Sequence, residues 1–227
     1  GIRLPILAGG LMWLSDADYV AAAAHAGGMG FITAASFPED DQLIAEIARA
    51  RDLCGGLPFG VNVSMLPKLV PGEKTEDIFR LIADQGVSVI ETSGRNPEPY
   101  IPLLKDLGLT IIHKVPAVRF AVKAQSVGVD MVTIVGAECG GHPGMDMIGS
   151  FVNAAMAGED ISISFLIGGG IGHGSQIIAA LAMGASGVVM GTRLLVSDEL
   201  NAHSDYKQAI VNATERDTVL TMHTVRN

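Results

Sequence analysis

Basic clusters and a disulfide framework are both missing from this 227-residue chain, and each absence removes a class of function. Fifteen Lys and Arg stand against 24 Asp and Glu, a formal net charge of -9. Holding a nucleic-acid backbone requires clustered cations that neutralise phosphates. No basic run occurs here, so no nucleic-acid partner is expected. Two cysteines, Cys54 and Cys139, give no disulfide pattern and fit a reducing cytoplasm. The chain opens on Gly1-Ile2-Arg3 with neither a starting methionine nor a signal-type run, and a trimmed N-terminus is the expectation.

Charge is scarce as well, at 17% of residues against 48% hydrophobic, which points to a buried globular core rather than disorder. Two stretches, 19–37 and 161–192, contain no Asp, Glu, Lys or Arg. A spanning helix needs about 20 predominantly apolar residues without turn-forming breaks. Glycine clusters interrupt both stretches, and the second holds eight glycines. Buried strands alternating with buried helix faces account for them better, so no membrane partner is expected.

What the chain does have is a repeat. A glycine followed by two further positions and a branched apolar run occurs at Ala26-Gly-Gly-Met-Gly-Phe31, Gln85-Gly-Val-Ser-Val-Ile90 and Leu107-Gly-Leu-Thr-Ile-Ile112. It returns at Val127-Gly-Val-Asp-Met-Val132 and Met183-Gly-Ala-Ser-Gly-Val188. Each glycine falls where a helix would end in a left-handed cap before a strand. The marker glycines are Gly27, Gly86, Gly108, Gly128 and Gly184, separated by 59, 22, 20 and 56 residues. The two long gaps each have room for one unmarked βα unit. Pro58–Val63 and Ser164–Ile167 supply the missing strands, and Leu4–Leu7 an opening one.

Eight strands are therefore expected, near residues 4–8, 29–34, 59–64, 87–92, 110–115, 130–136, 164–168 and 187–190. Helices are expected over 16–26, 39–53, 74–84, 97–107, 117–127 and 175–183. Alternating β and α elements imply parallel strands. Eight of them favour an α/β fold of the (β/α)₈ TIM-barrel type over an open doubly wound sheet, as one domain spanning 1–227. Such barrels keep their chemistry at the C-terminal strand ends.

Those ends are informative. Strand 6 runs into Gly136-Ala-Glu-Cys-Gly-Gly-His142-Pro-Gly144, a histidine on a nearly bare backbone. Glycine lets a chain approach a ligand closely, and histidine exchanges protons near neutral pH. Strand 7 ends in Gly168-Gly-Gly-Ile-Gly-His-Gly174 and strand 8 in Met190-Gly-Thr-Arg193. Glycine turns in those two places commonly hold phosphate on main-chain amides. The spacing is not a dinucleotide fingerprint, and no Walker A loop occurs. Strand 1 ends in Ala8-Gly9-Gly10, strand 3 carries Asn62, strand 4 ends in Glu91-Thr-Ser-Gly94 and strand 5 in His113-Lys114-Val115. If the barrel closes, these polar groups converge on a planar polar ligand with a phosphate tail, a description that flavin mononucleotide (FMN) matches.

The chain resembles the nitronate monooxygenase family, formerly called 2-nitropropane dioxygenases. The likeness lies in Gly1-Ile-Arg-Leu-Pro-Ile6 with Ala8-Gly-Gly10, in Ala26-Gly-Gly-Met-Gly-Phe31 and in Gly60-Val-Asn62. It continues through Gly136-Ala-Glu-Cys-Gly-Gly-His142, Gly168-Gly-Gly-Ile171 and Met190-Gly-Thr-Arg193, in order over nearly the whole chain. The resemblance implies an FMN-binding barrel that oxidises alkyl nitronates or nitroalkanes with O₂, giving a carbonyl compound and nitrite. It implies that His142 acts at the substrate, that Asn62 and Lys114 flank the flavin ring, and that Gly169, Gly170, Gly191 and Thr192 hold its phosphate. The expected cofactor site as a whole comprises Ala8, Gly9, Gly10, Asn62, Glu91, Lys114, Gly136, Gly141, Gly168, Gly169, Gly170, Met190, Gly191 and Thr192. Two features depart from the family: many members have alanine where this chain has Cys139, and members usually continue with further helix beyond strand 8. A C-terminal extension is therefore expected to be missing.

Plainer readings compete. Glu138, Cys139 and His142 resemble metal ligands, but no second ligand cluster accompanies them, so no metal is expected. Glu91 and Lys114 could form a simple ion pair at the barrel rim. His173 at a helix start reads as solvated, His25, His203 and His223 as structural, and Trp13 as a wall of the pocket. On the same fold, the rival activities are an NAD(P)H-dependent flavin enoyl-acyl-carrier-protein reductase and an NAD(P)H:quinone reductase. A non-catalytic flavin-binding barrel is the rival of another class. A small-molecule substrate and O₂ are the expected partners, and a homodimer is the assembly to test.

Overall fold

The computed structural model describes residues 1–65 and 74–220. Its strands are Ile6–Ala8 (β1), Met29–Thr33 (β2), Gly60–Ser64 (β3), Val89–Ser93 (β4), Thr110–Val115 (β5), Met131–Val135 (β6), Ser164–Gly168 (β7) and Gly187–Met190 (β8). Each pairs in parallel with the next, and β8 pairs with β1, so the sheet closes into a (β/α)₈ barrel. The open-sheet alternative is thereby excluded. The helices are Ala17–His25 (α1), Asp40–Cys54 (α2), Thr75–Asp84 (α3), Ile101–Asp106 (α4), Val118–Val127 (α5), Ser150–Asp160 (α6), Gly174–Ala182 (α7) and Ser204–Asn212 (α8). Of these, α6 and α8 were not marked in the sequence.

The repeat glycines do what their pattern predicts. Gly27, Gly86, Gly108, Gly128 and Gly184 have φ of 98°, 70°, 71°, 100° and 94°, and each lies at or just past a helix end. The first long gap hides α2, which ends on Gly55 with φ 59° outside the repeated motif. The second hides α6, whose end passes straight into extended Ile161 without any glycine.

Two apolar shells result. Helix-facing residues such as Ile32, Ile47, Phe79, Ile90, Leu104 and Ile134 fill the outer one. The inner shell lies inside the strands, where Leu7, Met29, Phe31, Ile112, Leu166 and Val189 pack with Val89 and Met131. In a barrel of this kind, inward side chains stack in layers of four drawn from alternate strands. The ladder registers give, from the bottom, Met29, Val89, Met131 and Gly187, then Leu7, Gly60, Ile112 and Leu166. Above them come Phe31, Glu91, Thr133 and Val189, and then Gly9, Asn62, Lys114 and Gly168. Size alternates as packing requires: a Cβ on Gly60 would lie 2.5 Å from the Phe31 ring. Polarity enters only at the third layer and dominates the fourth.

Candidate active site

At the C-terminal mouth, one buried carboxylate organises the floor. Glu91 Oε2 accepts a hydrogen bond from Asn62 Nδ2 at 2.7 Å and an ion-paired one from Lys114 Nζ at 2.9 Å. Asn62 from β3 and Lys114 from β5 sit one layer above Glu91 on the strand between them, so alternation aims all three into the same space. The anticipated ion pair forms, with Glu91 fully buried and Lys114 partly exposed at the mouth. Tyr19 of α1 closes the β1 side, donating from its hydroxyl to the Gly9 carbonyl at 3.2 Å. Burial, reinforced by the Glu91 charge, pushes its phenol pKa upward, so it stays a neutral donor. Nothing in the sequence singled out Tyr19.

Bare backbone rings this floor. Gly9 N donates to Met190 O at 3.0 Å, and Gly136 N to Gly168 O at 2.9 Å, tying the ends of β1 to β8 and β6 to β7. A Cβ on Gly10 would press on Asn62 Cβ and Thr33 Oγ1 at 2.9 Å. One on Gly169 would meet Ser150 Oγ at 2.7 Å, and one on Gly140 would come 3.8 Å from Thr192 Oγ1. The loop bearing His142 and the last two glycine turns therefore share one rim. Among the described residues, the amides of Gly170, Gly191 and Thr192 meet no acceptor, which leaves three donors for an anion.

The first turn of α7 is less available than its sequence suggests. Gln176 Oε1 accepts from the amides of Gly172 and His173, both at 2.9 Å, while His173 Nδ1 accepts from Ser175 N. His173 is exposed, as expected at a helix start, and also caps the helix. Anion donors remain in the glycine turn itself, one step before the helix.

Glu138, beside the candidate base, has a structural task. Its carboxylate accepts from Ser150 N at 2.9 Å and from Ser150 Oγ at 2.9 Å, capping α6 from twelve residues away. Ser150 Oγ also lies 2.9 Å from Gly168 O and 2.8 Å from Gly169 O, so its single proton is shared among three acceptors. This lock holds the β6 loop against the β7 turn, and nothing along the chain marks it beyond the polar residues themselves. Among the described residues no group of three His, Cys, Asp or Glu side chains can hold a metal ion. His142 stands exposed on that loop, with Gly141 beside it at φ 85°.

Some expected residues face elsewhere. His113 does not join the floor: it points outward, fully enclosed, with Nδ1 2.9 Å from Thr92 Oγ1. Burial lowers its pKa to about 4, only partly opposed by hydrogen bonding to the Thr92 main chain. Ala8 and Met190 turn their side chains to the helix-facing core, so only their main chain reaches the mouth. Trp13, held at φ 66°, is 70% exposed and donates its amide to Ser36 Oγ at 2.8 Å. His25 joins α1 to α2 through the Leu53 carbonyl, and His203 caps α8. His223 lies outside the described residues. No helix among them is long and apolar enough to cross a membrane.

A closed parallel βα barrel with a polar floor and turn amides without acceptors at its mouth has the architecture of a barrel enzyme. Residues 1–226 match the nitronate monooxygenase family model, so the chain belongs to that oxidoreductase family. A probable nitronate monooxygenase of Staphylococcus saprophyticus is 30% identical over 97% of this chain and 73% of its own length. The (3aS,4S,5R,7aS)-5-hydroxy-7a-methyl-1-oxo-octahydro-1H-indene-4-carboxyl-CoA dehydrogenase of Mycobacterium tuberculosis is 31% identical over 97% of this chain and 61% of its own. Among solved structures, FabK from Thermotoga maritima superposes with a TM-score of 0.88 at 34% identity, covering 97% of this chain and 68% of that one.

Proposed function

We propose that this chain is an FMN-dependent oxidoreductase that oxidises alkyl nitronates or nitroalkanes with O₂ to carbonyl compounds and nitrite. The observation that carries the reading is the shared rim: the His142 loop, the Asn62–Glu91–Lys114 floor and the turn amides of Gly170, Gly191 and Thr192 face one mouth. The family match supports the chemistry. The amides fit a phosphate tail, and the floor fits a flavin's polar edge, with Lys114 supplying a cation and Asn62 an amide. Bound there, FMN would supply the two-electron acceptor that O₂ reoxidises. The chain's own part is to orient, to exclude water and to move one proton. His142, on a loop pinned by Glu138 and Ser150, takes that proton from the carbon beside the nitro group.

The test is anaerobic. FMN added to the purified protein should bind tightly, and its visible absorption should bleach on adding a nitronate. Replacing His142 with Asn should slow nitroalkane oxidation about 10²–10⁴-fold, the usual worth of a general base. Turnover of the preformed nitronate should fall much less, and equal losses on both substrates would refute the base assignment. A second reading, the alternative drawn from the sequence on the same fold, is a reductase fed by NAD(P)H. Rapid bleaching by NADH, with none by nitronate, would establish it instead.

A further inference from the structure

Among the described residues, two side-chain oxygens inside the barrel are buried without a hydrogen-bond partner, Glu91 Oε1 and Thr133 Oγ1. Both residues are 0% exposed. The registers put them together. Ile112 stands opposite Glu91 on one side and Met131 on the other. Strand tilt advances the layer by one residue per strand, so the partner of Glu91 on β6 lies two residues beyond Met131, at Thr133. Lys114, on the strand between, sits one layer above. Phe31 and Val189 complete the layer and belong to the apolar inner cluster, so nothing polar faces these oxygens from that side.

We infer that this layer is a binding site for one water molecule, held between Glu91 Oε1 and Thr133 Oγ1 beneath Lys114, and that Thr133 is thereby a positioning residue for the floor. The Lys114 charge already balances Glu91, so a neutral occupant is required. Water is the smallest one that can donate to a carboxylate oxygen and also bond a hydroxyl, and buried waters occupy polar sites of this kind. The consequence is mechanical. Asn62 and Lys114 both bond Oε2, so only that half of the carboxylate resists rotation about its last side-chain bond. Anchoring Oε1 adds a second hold and so narrows the directions in which both groups point.

A high-resolution crystal structure of the whole chain should show one peak about 2.7–3.2 Å from both oxygens. A dry layer, a direct bond between the two oxygens, or a peak that rubidium replaces would each overturn the inference. Thr133→Val keeps the shape and deletes the hydroxyl. It should lose the peak and lower Tm by about 2–6 °C, while Thr133→Ser should retain both peak and Tm. Unchanged Tm in the Val variant, or an equal fall in the Ser variant, would show that only packing is at stake. Should the Val variant not fold, the wild-type peak and the Ser variant decide. The dissociation constant for FMN should rise about tenfold in Thr133→Val, equivalent to one weakened bond of about 1.4 kcal/mol, and stay unchanged in Thr133→Ser. Failure of wild-type protein to bind FMN would count against the proposed function alone, since the peak and the Tm pattern need no cofactor.

Discussion

The same eight strands build two different interiors. Below Glu91 the barrel is filled by Leu7, Met29, Val89, Met131, Ile112 and Leu166, with Gly60 giving way to Phe31 in the layer above and Gly187 to Leu166. Above it stand Asn62, Lys114 and glycines, crossed by hydrogen bonds and open to the mouth. The lower half gains stability from burying apolar area, at about 25 cal/mol per Å². The upper half holds a charge pair whose desolvation consumes most of its attraction. One end of the barrel is built to stay folded, and the other carries the candidate site.

Substitutions can break this contrast. Lys114→Met should be the most damaging, costing about 3–5 kcal/mol in urea unfolding, because Glu91 is left as a buried charge. Adding Glu91→Leu should restore most of that stability, since paired charges replaced by apolar groups are often neutral. The double variant would turn the mouth into a second floor and should bind no FMN in an absorbance titration. Its remaining as unstable as the single variant would mean that the pair is structural after all. In the lower half, Leu166→Ala should cost about 2–5 kcal/mol through loss of contacts and a residual cavity, yet leave FMN affinity per folded molecule unchanged.

His113 sharpens the comparison from outside the barrel. Its pKa is about 4 when folded and about 6.5 in an unfolded chain. The folded state is therefore unpenalised above pH 6.5. Stability drains away as pH falls towards 4, because the unfolded chain takes the proton first. The loss should reach on the order of 3 kcal/mol, and His113→Gln should flatten that part of the stability profile. A profile unchanged by the substitution would contradict the burial argument. The smallest effect belongs to the rim: Glu138→Ala removes the remote cap of α6 and should cost about 1 kcal/mol. Its larger consequence should be local, seen as faster amide hydrogen exchange in the loop from 136 to 149 with the barrel strands unaffected.

Much of this could be read along the chain. Five glycines with positive φ marked five helix ends, and their spacing exposed the unit that closes with Gly55 and the one that closes with no glycine at all. The turns after β1, β6, β7 and β8 announced themselves by composition. The roles of Tyr19, Glu138, Ser150 and Thr133 did not, because each depends on a partner supplied by another element. His113 and Lys114 were adjacent candidates, and only one of them faces the mouth.

That last pair shows where the division falls. Local chemistry along the sequence determined the number of units, their parallel order and the bare strand ends, since caps and turns are decided within a few residues. Which side chains look inward was settled only by closure. Parallel strands in a barrel are covered on both faces, so Thr110–Val115 shows no alternation of polar and apolar residues to reveal its orientation. The register of neighbouring strands sets it, and with it the layer in which Glu91 and Thr133 meet beneath Lys114.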